Sequence, residues 1–276
     1  MSDMKSASRG KRLRRFLFGG IALALVALVA YFVWGRYGST TRIALVNFPG
    51  YQSSGIILSN DNKHVRYDEL EQGDIDKFDS YDCVLAFGMG LKWNDEQRAE
   101  IKKLGDKGLP IKVVYATTKE NEISSLEPAK DQRISEYLDN GNKKNYRSLS
   151  HYIRRYIDGK KWFAPEPDSV APSSANVYYH LDEDVAFDKL SDYEAYIKKQ
   201  GFYHEGAKKV LVIGGLNDPF SGNKQNLDSL ITSLDRAGLN VYPVSSFSDR
   251  LRFIQEVSPD LIIHFPHGRI SMMGGD

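Results

Sequence analysis

A chain of 276 residues, 41% hydrophobic and 26% charged, has ordinary globular composition and room for one large or two ordinary domains. Its 37 Lys and Arg against 36 Asp and Glu leave a formal charge of +1, which removes the electrostatic case for a nucleic-acid partner. The single cysteine, Cys83, excludes an intramolecular disulfide and a cysteine-based zinc site, and within Asp82-Cys-Val-Leu-Ala-Phe87 it reads as a small buried apolar residue.

The charge is unevenly placed. Lys5, Arg9, Lys11, Arg12, Arg14 and Arg15 crowd residues 1–15 with only Asp3 opposing them, a basic tail expected in the cytoplasm. Residues 16–34 then carry no charged side chain; at about 1.5 Å per residue they reach roughly 28 Å, enough for one transmembrane helix. A cleaved signal peptide shares the basic start and apolar core. This core is longer than the usual 7–15 residues or so of a signal peptide, and no small-x-small cleavage site follows it. Tyr31, Phe32 and Trp34 place rings at the far end, where aromatic side chains favour the membrane interface. Only Arg36 and Arg42 follow closely, so the positive-inside rule keeps the amino end cytoplasmic. In a bacterium this predicts a single-pass inner-membrane protein with its soluble part in the periplasm.

Beyond the helix the pattern is α/β. Arg42–Phe48 reads as a buried strand ended by Pro49-Gly50, and Tyr81–Gly88 and Ile111–Thr117 repeat it. Between these two, Asn94 is placed to cap a helix through Leu104, with Gly105 and Gly108 behind it. Helices are expected over Asp131–Leu138 and Ser148–Ile157, completing a first α/β domain over residues 42–161. Residues 163–174 are rich in Pro and Ser, which marks a linker; with a helix over Asp188–Gln200 it forms a connecting segment over 162–207.

A second α/β domain starts at 208, with a strand at Lys208–Gly215, a helix over Asn223–Ala237 stopped by Gly238, and a strand at Asn240–Ser246. Pro243 points to an edge or irregular position in that strand. A helix capped by Asp249 runs to Val257, and Asp260–Pro266 is the last strand. Ligands of open α/β sheets bind beyond the carboxyl ends of the strands; a chain ending at Asp276 is therefore expected to be the front portion of something longer. The fold expectation is an amino-terminal transmembrane helix followed by two open, mainly parallel-sheet α/β units, the second incomplete.

Two loops follow strands where backbone amides and a helix dipole can hold an anion: Phe48–Gly55, and Leu216–Gly222 after the strand glycines. Neither has Walker or dinucleotide spacing, and both read first as plain strand-to-helix loops. His264 and His267 stand at the end of the last strand with Arg269 beyond, on the crevice side of the sheet. Imidazoles suit metal ligation or proton transfer, but the pair also reads as a buried His264 and an exposed loop His267. His180 and His204 are polar groups among aromatics, and Asp182, Glu183 and Asp184 form a surface-like acidic triplet. The ligand-binding candidates are His180, His264, His267 and Arg269. No catalytic residue, metal site or Ser/His/Asp arrangement is assigned.

The pieces between Val177 and Gly275 also stand in a recognisable order. Tyr178-Tyr-His-Leu-Asp182, then Phe187, Tyr193 and Tyr196, then Lys209–Ile213, Leu227–Val244 and Pro259–Ile263, resembles the large subunit of cobaltochelatase and the porphyrin-binding subunit of magnesium chelatase. The apolar segment makes the membrane-anchored haem-utilisation members of this group the most similar. The resemblance implies a very large protein that encloses a tetrapyrrole, haem, porphyrin or corrin, and inserts or removes its central metal. It places the residues handling ring and metal beyond position 276, and implies no cofactor within this chain.

The implied partners are the membrane, the tetrapyrrole substrate, and outer-membrane haem-uptake or chelatase proteins, with no nucleic acid. Metal insertion in this family draws on ATP-hydrolysing subunits, whereas the predicted compartment lacks ATP, so release of iron from haem fits the topology better. The competing expectation is a membrane-anchored periplasmic ligand-binding or sensor module without catalysis. A third is a docking protein that holds a partner through its first domain.

Overall fold

The computed structural model describes residues 3–181, 185–214, 218–246 and 248–265, with side chains from residue 19 onward. Helix α1 (Asp3–Tyr37) contains a stretch, Gly19–Tyr37, long and apolar enough to cross a membrane, with mean hydropathy 1.7 and none of it buried. By length and composition that stretch fits a membrane span or a signal sequence alike. It overlaps the expected 16–34.

The first sheet follows directly. Strands β1 (Thr41–Val46), β2 (Val65–Leu70), β3 (Cys83–Phe87) and β4 (Ile111–Val114) pair in the order β2-β1-β3-β4, all parallel. Alternation divides the central strands into two faces. Ile43, Leu45, Cys83 and Leu85 pack with Ile56, Tyr137 and Leu149, from helices α2 (Gly50–Ser59), α4 (Pro128–Asp139) and α5 (Lys143–Tyr152). Ala44, Val46, Val84 and Ala86 pack on the other side with Phe78, Trp93 and Ile101, the last from helix α3 (Asp95–Asp106). Every residue of β3 is buried, as expected of a parallel strand covered on both faces. Asn94 caps α3 as the sequence predicts: its side chain accepts from Gln97 N at 2.8 Å, and Gln97 Oε1 accepts from Asn94 N at 2.9 Å.

Two elements of this unit were not expected. In Val-Arg-Tyr-Asp-Glu-Leu, β2, only Val65 and Tyr67 are buried, and the charges between them mask a strand whose outer edge faces solvent. Helix α2 begins inside the segment expected to be a loop, because Gly, Gln and Ser give it little intrinsic helical signal. The helix expected over Ser148–Ile157 starts earlier, as α5, and ends in a π turn over Ile153–Ile157. That turn directs Arg154 inward.

The second sheet is mixed. Strands β5 (Val177–Tyr179), β6 (Ala186–Phe187), β7 (Lys209–Gly214), β8 (Asn240–Ser245) and β9 (Leu261–His264) pair in the order β6-β5-β8-β7-β9. The last three strands in the chain are mutually parallel, while β5 runs antiparallel to β6 and β8. Residues 177–200, expected in the connecting segment, thus supply two strands and helix α6 (Leu190–Gln200) to this unit. Tyr178, Leu211, Tyr242 and Val244 pack on α6 and on helix α8 (Arg250–Val257), and Tyr179, Val210 and Val212 pack on helix α7 (Gln225–Arg236). Gly238, at φ +75°, follows the end of α7 as predicted.

Pro243 is not at an edge: β8 lies between β5 and β7. Asn240 N donates to Lys208 O and Ser246 N to Gly214 O, so even-numbered residues turn their amides to β7 and Pro243 faces β5. The β5 ladder stops at Tyr178↔Val244, one residue short of needing the amide that proline lacks. Asp249 stands at the N-cap of α8 but makes no side-chain cap bond. Its carboxylate instead accepts from Arg252 Nε at 2.6 Å.

Candidate functional site

The two sheets meet where strand ends open into loops. At the end of β1, Asn47 adopts φ +58° and donates from Nδ2 to Phe87 O at 2.8 Å and Met89 O at 3.2 Å, tying the carboxyl ends of β1 and β3 together. The chain then enters α2, whose Gly55 lies against the loop that precedes α7. A Cβ at Gly55 would come within 2.9 Å of Gly222 Cα. Asn223 N donates to Tyr51 O at 3.2 Å, and Tyr146 Oη donates to Ser221 O at 3.0 Å. Gln52 reaches the phenols of both Tyr115 and Tyr146, whose pKa values burial pushes well up. The two segments read in the sequence first as plain strand-to-helix loops are therefore in contact, and Gly55 and Gly222 serve close backbone approach.

Beside this contact lies a cavity of about 250 Å³ lined by Leu58, Ser59, Lys143, Phe220, Lys224 and Asp228. A second, of about 230 Å³, shares Lys143 and Phe220 and adds Lys144, Pro172 and Asp218. Each falls short of the roughly 300–1,000 Å³ that encloses a drug-sized ligand, so neither holds a whole macrocycle.

The buried charged groups Lys224 and Asp218 are committed to the protein. The Lys224 side chain, 4% exposed, places Nζ 3.2 Å from the Asp228 carboxylate. It also donates to His180 O at 3.1 Å and lies over the rings of Phe220 and Tyr179. Asp218 is buried and accepts from Ser174 N at 2.6 Å and Phe220 N at 2.8 Å, while burial raises its pKa. It pins the Pro/Ser-rich segment to the loop before α7. Gln52, Tyr146, Asp218 and Lys224 were not expected from the sequence, because nothing local distinguishes them until distant elements pack together.

Of the predicted site residues, the two among the described residues, His180 and His264, do not converge. His180 follows β5 and is 2% exposed, its ring 4.4 Å from that of Phe202. Nδ1 has no hydrogen-bond partner, and burial pushes the pKa down to about 4. His264 ends β9; its Nε2 also has no partner, and burial followed by the charge of Arg250 lowers its pKa. Strands β8 and β7 separate the two, which at about 4.8 Å per strand puts them roughly 14 Å apart. His267 and Arg269 lie outside the described residues. His204 packs at the far end of the sheet, with Nε2 3.0 Å from Asp235 Oδ1. Among the described residues no three His, Cys, Asp or Glu side chains gather as a metal-ligand set.

A family model described as CobN/Magnesium Chelatase matches residues 135–275, just over half of the chain. The match begins inside α4, well before the Tyr-His motif that carries the resemblance in the sequence. No curated protein matches. Among solved structures the fold is similar to the catalytic subunit of cobaltochelatase from Mycobacterium tuberculosis, with a TM-score of 0.52 over 82% of this chain and 13% sequence identity. The chain spans 18% of the length of that subunit, and at this identity the likeness is one of fold.

Proposed function

Because the chain belongs to the CobN/magnesium chelatase family, we propose that it works in a tetrapyrrole chelatase-like protein, held to a membrane by α1. The family match is the observation that carries the reading. The described residues supply a scaffold in which α2 and α5 of the first α/β unit contact the loop before α7 of the second. Because the chain spans 18% of the length of the similar cobaltochelatase subunit, the chemistry is assigned to the tetrapyrrole-binding protein as a whole.

Retention of α1 as an anchor is supported by how its end is built into the fold. Trp34 and Tyr37 meet Phe163 and Trp162 at centroid distances of 6.3 and 5.8 Å, and Trp162 N donates to Tyr37 O at 3.3 Å. The basic residues before the apolar stretch support a cytoplasmic amino end, and so a periplasmic location for the α/β units. In that compartment ATP-driven metal insertion has no energy source. Release of iron from haem, in which two protons replace one Fe²⁺ in the ring, needs none, and this favours the membrane-anchored haem-utilisation type.

The test is to supply haem to the complete protein under reducing, anaerobic conditions without ATPase partners and to follow porphyrin fluorescence. Metal-free porphyrin with a matching amount of free Fe²⁺ is the expected result. No porphyrin, together with ATP-dependent metal insertion by the same preparation, would overturn the reading.

A further inference from the structure

We propose that the segment 160–164, led by Trp162 and Phe163, is a second membrane contact that seats the first α/β unit on the bilayer interface beside the end of α1. The proposal rests on the reading of α1 as a retained anchor and adds a lipid-binding surface on the soluble part.

Trp162 and Phe163 are 45% and 53% exposed, two adjacent large apolar rings at the surface of the first unit. Their neighbours explain why. Phe163 stacks on His64 at 4.3 Å and meets Trp34; Trp162 meets Tyr37. Trp34 and Tyr37 stand one turn apart at the close of the apolar stretch, a rise of about 4.5 Å, so the loop lies at the same depth as that last turn. With Gly19–Tyr37 in a bilayer, that depth is the headgroup boundary, where Trp and aromatic rings are most favourable. Tyr31, Phe32 and Trp34, 50–73% exposed, continue the same aromatic band along the helix.

The joint is stiff. The connection Gly38-Ser39-Thr40 is held by Arg154 Nη1, which donates to Ser39 O at 2.8 Å, and by Lys160 Nζ, which donates to Thr40 O at 3.2 Å. Arg36 packs beside Gly159. The unit therefore cannot swing away from the helix end without breaking buried bonds. Charge agrees with a lipid occupant. Arg36, Lys63 and Lys161 are exposed around the rings, while the nearby acids Asp61 and Glu166 are engaged by Arg147 and His151, and by Arg155. A cationic rim around an aromatic tip suits an anionic bilayer surface. Since β1 leaves this joint and β2, β3 and β4 run parallel to it, the amino ends of the strands face the membrane. Their carboxyl ends, with the Gly55–Gly222 contact, face away.

The chain has three tryptophans, and Trp93 is buried in the core, so depth-dependent quenching reads Trp34 and Trp162 separately. The full chain is reconstituted in phosphatidylethanolamine–phosphatidylglycerol vesicles carrying lipid brominated near the headgroup. In Trp34→Phe, loss of Trp162 emission is expected; in Trp162→Phe, loss of Trp34 emission; in the double variant, none. Both changes are at exposed positions and spare the core. Quenching of Trp34 without quenching of Trp162 overturns the loop contact while leaving the anchor intact. Absence of Trp34 quenching overturns the anchor and the loop contact with it.

Discussion

Gly55 of α2 and Gly222 of the loop before α7 approach so closely that a single methyl group at Gly55 would sit 2.9 Å from the Gly222 Cα. Around that point Asn223 N donates to Tyr51 O and Tyr146 Oη to Ser221 O, so the contact joins the two α/β units through backbone. The neighbour that a Cβ would meet is backbone, which cannot rotate away. Gly55→Ala is predicted to destabilise the protein by about 1–3 kcal/mol through overpacking. Gly50→Ala, where the added methyl meets open space, is the control, with an effect under about 1 kcal/mol. Urea unfolding of both variants checks this; equal midpoints would mean that the sheets do not pack as described.

Arg154 is fully buried and holds Ser39 O, Thr41 Oγ1, His64 O and Trp162 O. Replacing it with Met leaves Ser39 O and Trp162 O without their donor, while His64 O keeps Thr41 N and Thr41 Oγ1 keeps Asp158, and it leaves Asp158 with one fewer cation nearby. A loss of about 3–5 kcal/mol is expected. Lys should recover little, because one ammonium cannot span a fork that serves four acceptors. Denaturant titration of the two variants, followed by tryptophan emission, measures it.

His180 gives stability a pH dependence. Its folded pKa is about 4, below the value of about 6.5 in an unfolded chain, so the unfolded state takes up the proton first. Stability from this group is present above pH 6.5 or so and is lost as pH falls toward about 4, up to about 3 kcal/mol. His264 and His64 shift in the same direction. In His180→Phe the decline between neutral pH and pH 4.5 should be shallower than in the parent, as read by unfolding midpoints across that range. Unchanged slopes would remove His180 as the cause.

Cys83 is fully buried, and burial raises its thiol pKa far above the ordinary range. Native protein should therefore resist a thiol-directed alkylating reagent at neutral pH and become labelled only on unfolding. Labelling followed by mass measurement, at increasing urea, should track the unfolding of the first sheet. Prompt labelling in buffer would contradict a closed β3.

What could be read from the chain was local. The apolar runs Ile43–Val46, Cys83–Phe87 and Val210–Ile213 announce buried strands, Asn94 with Gln97 announces a helix start, and Gly238 announces a helix end. Each signal lies within a few residues of the element it sets. Strand β2 escaped because Arg66, Asp68 and Glu69 decorate it. The antiparallel β5 and β6 escaped because short strands beside a Pro/Ser-rich segment carry too little periodicity to separate from a linker.

The candidate site was less legible. His180 and His264 were identified as residue types suited to ligands, yet strand order places two strands between them. Pro243 was expected at an edge or irregular position on its missing amide; the edge is excluded by strand order, and the short β5 ladder that ends beside it removes the need for that amide.

By itself, then, the sequence determined the apolar helix, the α/β alternation and the family, because these depend on composition and on spacing along the chain. Only the tertiary structure decided that Gly55 meets Gly222, and that Arg154 reaches residues 90 and 115 positions away. It alone decided that the aromatic loop at 162–163 lies beside the end of the apolar helix. Those contacts form where packed elements bring distant backbone together, and no local pattern encodes which distant backbone that will be.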